Sequence, residues 1–240
     1  MNQYPYCNSQ KIIFEEGSAS PKPKSKTMLT VAPHGILTLG FTFMVTSDEF
    51  ESSDVKWLVT DMLLKLPFIR DMMVWSDAWE VSKDSMNEFL QQEENVALIP
   101  GGFQEATIYL RDRHRLFIKD RKGFIKYALK YGYSILPAYV FGEERGFWQF
   151  DIGSIDFRFW LNKYNIPTIA FIGKYGFLPD NNIDVTIVIG KSYALPKIDH
   201  PTDEDINKHH ADYIKCMEGL FDRNKERYAF KGKDAVLELF

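Results

Sequence analysis

A histidine set between a proline and a glycine at the end of an apolar run is the first place where this sequence offers chemistry. In "MLTVAPHGILTLGF", Met28 to Phe41, the run stops at Pro33, and His34 and Gly35 follow before apolar residues resume. Pro33 fixes the approach of the backbone, Gly35 permits a tight turn, and the end of a strand is where open α/β sheets gather their ligands. Read alone, His34 also fits a histidine capping a buried turn. A second apolar run, in "ALIPGGFQEA", ends in Pro100 and the pair Gly101 and Gly102, with Glu105 shortly after. Two parallel strands ending this way bring His34 and Glu105 to one edge of a sheet. A carboxylate beside an imidazole orients its tautomer and raises its basicity, as a general base requires. A carboxylate in the first turn of a helix, favoured by the macrodipole, accounts for Glu105 equally well.

Two further features bear on substrates. Between Arg111 and Lys130 lie eight basic residues (Arg111, Arg113, Arg115, Lys119, Arg121, Lys122, Lys126 and Lys130) against Asp112 and Asp120. Such a cluster, close behind Glu105, suits the phosphates of a large anionic substrate or anionic lipid head groups. Lys122, Lys126 and Lys130 recur every four residues and are also what a solvated helix face would carry. Ten aromatic residues then fall between Gly146 and Asp180, among them Trp148, Phe150, Phe157, Trp160 and Phe171. Core packing, an apolar groove and a membrane-facing surface are all consistent with that density.

The elements that must position these residues alternate between short β-rich runs and helical patterns, the signature of an α/β fold. Strands are expected at Met28–Ala32, Val55–Thr60, Val96–Ile99, Ser134–Val140, Thr168–Ile172 and Val185–Ile189. Their near-continuous apolar character requires a mostly parallel sheet covered on both faces. Helices are expected from the turn after His34, over Ser82–Glu94, over Lys122–Tyr131, and from Asp203 to about Arg227. The last has Thr202 as N-cap and Asp205 three residues on. The 240 residues fit one domain, an α/β domain over 28–240 behind a flexible polar lead-in over 1–27.

Composition narrows the function. A net charge of −4 gives no general affinity for nucleic acid. Cys7 and Cys216 lie far apart and form no metal-like cluster, which favours free thiols in a reducing compartment and implies no metal site. The most apolar window, Trp57–Trp75, carries Asp61, Lys65, Arg70 and Asp71, so it is not read as a membrane span, though its terminal tryptophans suit an interfacial segment.

Taken in order, these residues resemble the type-two diacylglycerol acyltransferases and their monoacylglycerol and wax-alcohol relatives. The resemblance runs from about residue 28 to the end, through "APHG", "GGFQE", "DRKGFIKYALKYGYSILPAYVFGEE" (Asp120–Glu144) and "IDHPTDEDINKHHADYIKCMEGLFDRNKERY" (Ile198–Tyr228). It implies a single-domain, glycerolipid-acyltransferase-like fold. The implied reaction is transfer of a fatty acyl group from acyl-CoA, a co-substrate with no bound cofactor, to a hydroxyl of a lipid acceptor. His34 would be the base and Glu105 a second active-site residue, supported by Pro33, Gly35, Gly101 and Gly102. Arg111, Arg113, Arg121, Lys122 and Lys126 are the candidate acyl-CoA contacts. Gly123, Phe124, Pro137, Phe141, Gly142 and Glu143 belong to the third block. A catalytically silent binder of acyl-CoA or lipid and a thioester or ester hydrolase are the alternatives.

This chain departs from the family pattern at three points, Ala32, the "GKYG" segment and the N-terminal anchor. Ala32 stands where the signature has its first histidine. Leu39, as expected for the type-two branch, occupies the place of the aspartate that wider glycerolipid acyltransferases carry five positions after the catalytic histidine, so another group must orient His34. "GKYG" (Gly173–Gly176) replaces the usual glycine-arginine-glycine. The hydrophobic anchor expected before the signature is missing, which implies a peripheral enzyme on the cytoplasmic side of endoplasmic reticulum or on a lipid droplet.

Overall fold

The computed structural model describes residues 6–65, 69–150, 153–164 and 168–240. In chain order the strands are β1 (Ser9–Phe14), β2 (Thr27–Ala32), β3 (Val55–Val59), β4 (Ala78–Glu80), β5 (Asn95–Leu98), β6 (His114–Leu116), β7 (Ser134–Phe141), β8 (Trp148–Phe150), β9 (Ala170–Ile172), β10 (Asp184–Ile189), β11 (Tyr193–Ala194) and β12 (Leu237–Leu239). The helices are α1 (Leu39–Val45), α2 (Asp48–Glu51), α3 (Asp61–Lys65), α4 (Ile69–Trp75), α5 (Lys83–Gln91), α6 (Gly102–Thr107), α7 (Gly123–Tyr131), α8 (Ile155–Asn162) and α9 (Asp203–Tyr228).

One sheet has the order β1-β10-β7-β2-β5-β3-β4, with β11 attached to β7. From β7 to β4 every pairing is parallel, whereas β10 runs antiparallel to β7 and parallel to β1. The fold is thus the mostly parallel mixed sheet expected, flanked by helices. Alternation along β2 sends Met28 and Ala32 into the core under α5, α7 and α9, and Leu29 and Val31 into the core under α1 and α2. Because every residue of β2 is buried, the strand is covered on both faces and its end is rigidly placed.

Local chemistry explains the helix ends. Thr202 accepts from the Asp205 amide and Asp205 accepts from the Thr202 amide, so both halves of the capping box form at the start of α9. Gly132, in the left-handed region, closes α7 with its N–H on the Ala128 and Leu129 carbonyls.

Several expectations are corrected. The lead-in is not wholly free, since Ser9–Phe14 extends the sheet beside β10 with residues 9–14 paired to 184–189. Among the described residues, Thr168–Ile172 does not join the main sheet: β9 pairs with β8, as a separate antiparallel ribbon. Trp57 is 5% exposed, edge-on to Phe41 and Phe50, and so is a core residue rather than an interfacial anchor, whereas Trp75 is 84% exposed. Residues 66–68 of that window lie outside the described residues.

Candidate active site

Three motifs meet because three strands are adjacent and parallel. β2 lies between β5 and β7, so the segments after Ala32, Leu98 and Phe141 leave the sheet at the same edge. The first carries His34, the second Gly101, Gly102 and Glu105, and the third Gly142, Glu143 and Glu144. Proline residues mark two of the exits, and the Ala32–Pro33 peptide is cis.

His34 is half-buried, and its Nδ1 lies 3.0 Å from the Gly35 carbonyl oxygen. A carbonyl only accepts, so Nδ1 carries the proton and Nε2 keeps a lone pair, the arrangement of a general base. Burial lowers the pKa of His34 and keeps the ring neutral. The orienting group that the absence of an aspartate at Leu39 calls for is therefore a backbone carbonyl.

Glu105 plays a different part from the one expected. Its Oε2 accepts the backbone N–H of His34 at 2.7 Å and its Oε1 that of Phe117 at 2.8 Å, so it grips the main chain of the loop where an imidazole partner was expected. It is 3% exposed, and burial raises it to about 7 despite two N–H donors and the nearby Arg121 charge. Glu143, also buried, accepts from Leu39 N at 2.6 Å and Gly40 N at 3.1 Å and is pushed up to about 8 by burial. Glu144 accepts from Gly142 N at 2.8 Å and rises to about 7 for the same reason.

Two glycines are dictated by geometry. Gly35 has φ +59, and a Cβ there would lie 2.4 Å from Glu143 Oε1. Gly142 has φ +93, and its Cβ would fall 1.8 Å from the Asp184 carbonyl oxygen at the start of β10. Larger residues would be strained at both positions and would collide. Gly101 and Gly102 form the turn from β5 into α6. Pro137, Phe141 and Phe124 are buried: Pro137 and Phe141 in β7, Phe124 in α7, which Gly123 begins.

A small cavity under the edge is lined by Pro33, Gly35, Glu105, Tyr109, Arg113, Arg115 and Glu144. Sequence reasoning missed Tyr109 and Glu144. The Tyr109 hydroxyl donates to the Glu144 and Phe147 carbonyls at 2.8 and 3.0 Å, a role with no sequence signal. Glu144 stands next to Glu143 in the third block and was within reach. Below them His114, lowered to about 4 by burial, lies 3.8 Å from Glu144 Oε1 and 3.3 Å from the Tyr139 hydroxyl.

The basic segment does not form one surface. Arg111 lies over Trp148, pairs with Asp180 at 3.4 Å, and donates to the Arg145 and Phe147 carbonyls. Arg113 and Arg115 both meet Glu238 of β12, at 3.3 and 2.9 Å. Arg121 donates to Gln104 and lies over Phe117. Lys122 reaches Asn207 at 2.7 Å, and Lys126 is exposed on α7. The aromatic segment divides as well. Phe147 and Phe171 pack with Ile36 and Tyr109, while Trp148, Phe150, Phe157, Trp160, Tyr164, Tyr175 and Phe177 are exposed. Ala32, at the place of the family's first histidine, is buried in the core with Tyr139.

The edge geometry is matched by sequence: a family model described as Diacylglycerol acyltransferase covers residues 18–239. The chain belongs to the diacylglycerol acyltransferase family. Among its relatives, Acyl-CoA wax alcohol acyltransferase 2 of Mus musculus is 32% identical, over 86% of this chain and 68% of its own length. Diacylglycerol O-acyltransferase 2 of Dictyostelium discoideum is 31% identical, over 87% and 69%. The 2-acylglycerol O-acyltransferase 3 of Homo sapiens is 29% identical, over 87% and 67%. In fold, the chain is similar to the crystal structure of the 1-acyl-sn-glycerophosphate (LPA) acyltransferase PlsC from Thermotoga maritima, with a TM-score of 0.52 at 13% identity, covering 90% of this chain and 73% of that one. This diacylglycerol acyltransferase family member therefore has a glycerolipid-acyltransferase fold. Its named relatives use three kinds of acceptor at nearly equal identity.

Proposed function

We propose that the protein transfers a fatty acyl group from acyl-CoA to a hydroxyl of a lipid acceptor, with His34 as general base. Diacylglycerol, monoacylglycerol and long-chain alcohols are the acceptor class that the relatives' names supply. The observation that carries the reading is the 3.0 Å contact of His34 Nδ1 with the Gly35 carbonyl oxygen: a carbonyl only accepts, which commits the proton to Nδ1 and leaves Nε2 to take one at the edge shared by three family motifs.

In this reaction the acceptor hydroxyl gives its proton to Nε2 as its oxygen attacks the thioester carbonyl carbon. The C–S bond then breaks, and the departing thiolate of coenzyme A takes the proton back from the imidazolium. No acyl-enzyme is needed. Glu105 supports the step by holding the His34 backbone. Of the cationic residues, Arg113 and Arg115 line the cavity and Lys126 is exposed, which suits them to the phosphates of coenzyme A.

Peripheral attachment to endoplasmic reticulum or to a lipid droplet fits the exposed aromatic residues between Trp148 and Phe177. Among the described residues no helix is long and apolar enough to cross a membrane. The test is incubation of purified protein with labelled acyl-CoA and a panel of lipid alcohols. Acylated product is expected, and His34→Ala should abolish it. Full transfer by His34→Ala would remove His34 from the mechanism.

A further inference from the structure

The segment from His34 to Gly40 carries the base across open ground between β2 and α1, and it has two ends to hold. Glu105 holds the first through the His34 N–H. The other end is held from the turn after β7: Glu143 Oε1 accepts from Leu39 N at 2.6 Å and Oε2 from Gly40 N at 3.1 Å. The Glu143 side chain is also packed against Gly35, so closely that a Cβ on Gly35 would lie within 2.6 Å of Oε1, Cγ and Cδ. Gly35 in turn supplies the carbonyl that receives Nδ1–H of His34. Glu143, Gly35 and His34 therefore form a contact chain that ends on the imidazole, and the carboxyl group at its origin is 1% exposed.

We infer that Glu143 is a positioning residue for His34: by gripping Leu39 and Gly40 and bearing on Gly35, it fixes the Gly35 carbonyl and so selects the Nδ1–H tautomer. This rests on the proposed role of His34 as base. Any buried carboxyl needs donors; what singles out Glu143 is that both of its donors, the Leu39 and Gly40 amides, stand at the far end of the loop that carries the base. The pairing also explains how a glutamate side chain from the turn after the neighbouring strand, instead of a side chain at Leu39, can discipline this loop. Placement errors of about an ångström at a reacting group cost on the order of a hundredfold in rate. The effect belongs to the chemical step rather than to substrate binding.

The experiment reads the tautomer directly. The ¹⁵N signals of the His34 ring, assigned by difference against His34→Gln, are expected to show Nδ1–H in the parent. Glu143→Gln can still accept one amide but not two, and is expected to populate the Nε2–H form. With an active acceptor, kcat should fall about 10- to 100-fold while KM for acyl-CoA stays within about twofold. Glu143→Asp, one methylene short, is expected to act in the same direction and serves if Glu143→Gln does not fold. An Nε2–H tautomer in the parent overturns the inference, as does an unchanged His34 tautomer in a folded Glu143 variant. Absence of acyl transfer in the parent would count against the proposed function alone, because the ring signals do not depend on turnover.

Discussion

Glu105 holds His34 by the main chain: its Oε2 accepts the His34 backbone N–H at 2.7 Å, while the ring nitrogen Nδ1 is satisfied by Gly35 at 3.0 Å. The carboxylate and the imidazole share a residue but not a hydrogen bond. Glu105→Ala would strand two half-buried amides, those of His34 and Phe117, at about 1–3 kcal/mol for each unsatisfied group. The expected outcome is a stability loss of roughly 2–5 kcal/mol in urea denaturation together with a large fall in kcat. Glu105→Gln, whose amide oxygen still accepts one of the two, should lose less of both.

The activity profile should follow the base. Burial sets the His34 pKa below its ordinary 6.5. Below its pKa the ring is protonated and unable to accept, so kcat/KM is expected to rise with pH and reach half its maximum below pH 6.5. A half-maximum above pH 7 in the pH–rate profile would be incompatible with His34 in this role.

Stability should move the other way above pH 6.5. Glu105, Glu143 and Glu144 have folded pKa values of about 7, 8 and 7, raised by burial from 4.5. A raised acid contributes stability that is fully present below its unfolded pKa and is lost as pH climbs through the folded value. His34, His114 and His210 are lowered by burial, so their contribution grows as pH rises toward 6.5 and is then constant. The two sets oppose each other below 6.5, and only the acids act above it. The melting temperature is therefore expected to fall between pH 6.5 and about 8, and Glu143→Gln should flatten that fall in calorimetry.

The proposed membrane attachment draws on the exposed aromatic residues between Trp148 and Phe177 and not on Trp57 of the earlier window. Trp160 and Tyr175 are 51% and 81% exposed, whereas Trp57 is 5% exposed. Burying one large aromatic side chain in an interface is worth roughly 2 kcal/mol, more than tenfold in affinity. Trp160→Ala and Tyr175→Ala should each weaken co-sedimentation with phospholipid vesicles about tenfold while leaving the fold intact. Trp57→Ala should destabilise the core and leave vesicle affinity unchanged at temperatures where it is folded.

Much of this architecture was legible beforehand. The runs at β2, β3, β5, β7 and β10 stand out because strands buried on both faces must be apolar throughout. The start of α9 is written in Thr202 and Asp205, a local motif four residues long. The meeting of His34 with the Glu105 and Glu143 blocks follows once the strands before them are taken as neighbours.

What was not legible depends on partners far away in sequence. Nothing in "SQKIIF" names β10 as its neighbour, since the paired residues are 175 positions apart at Ser9 and Asp184. Nothing in the basic segment reveals that Glu238 of β12 will meet Arg113 and Arg115. By itself, the sequence determined which strands are buried, where they break, and which ionisable residues follow each break, because burial and turn chemistry act over a few residues. Only the tertiary structure decided that Glu105 and Glu143 grip the backbone on either side of His34 and that a carbonyl, not a carboxylate, sets its tautomer. Those outcomes are fixed by ångström-scale reach from side chains beyond β5 and β7 to the backbone beyond β2, and residue type and spacing carry no record of it.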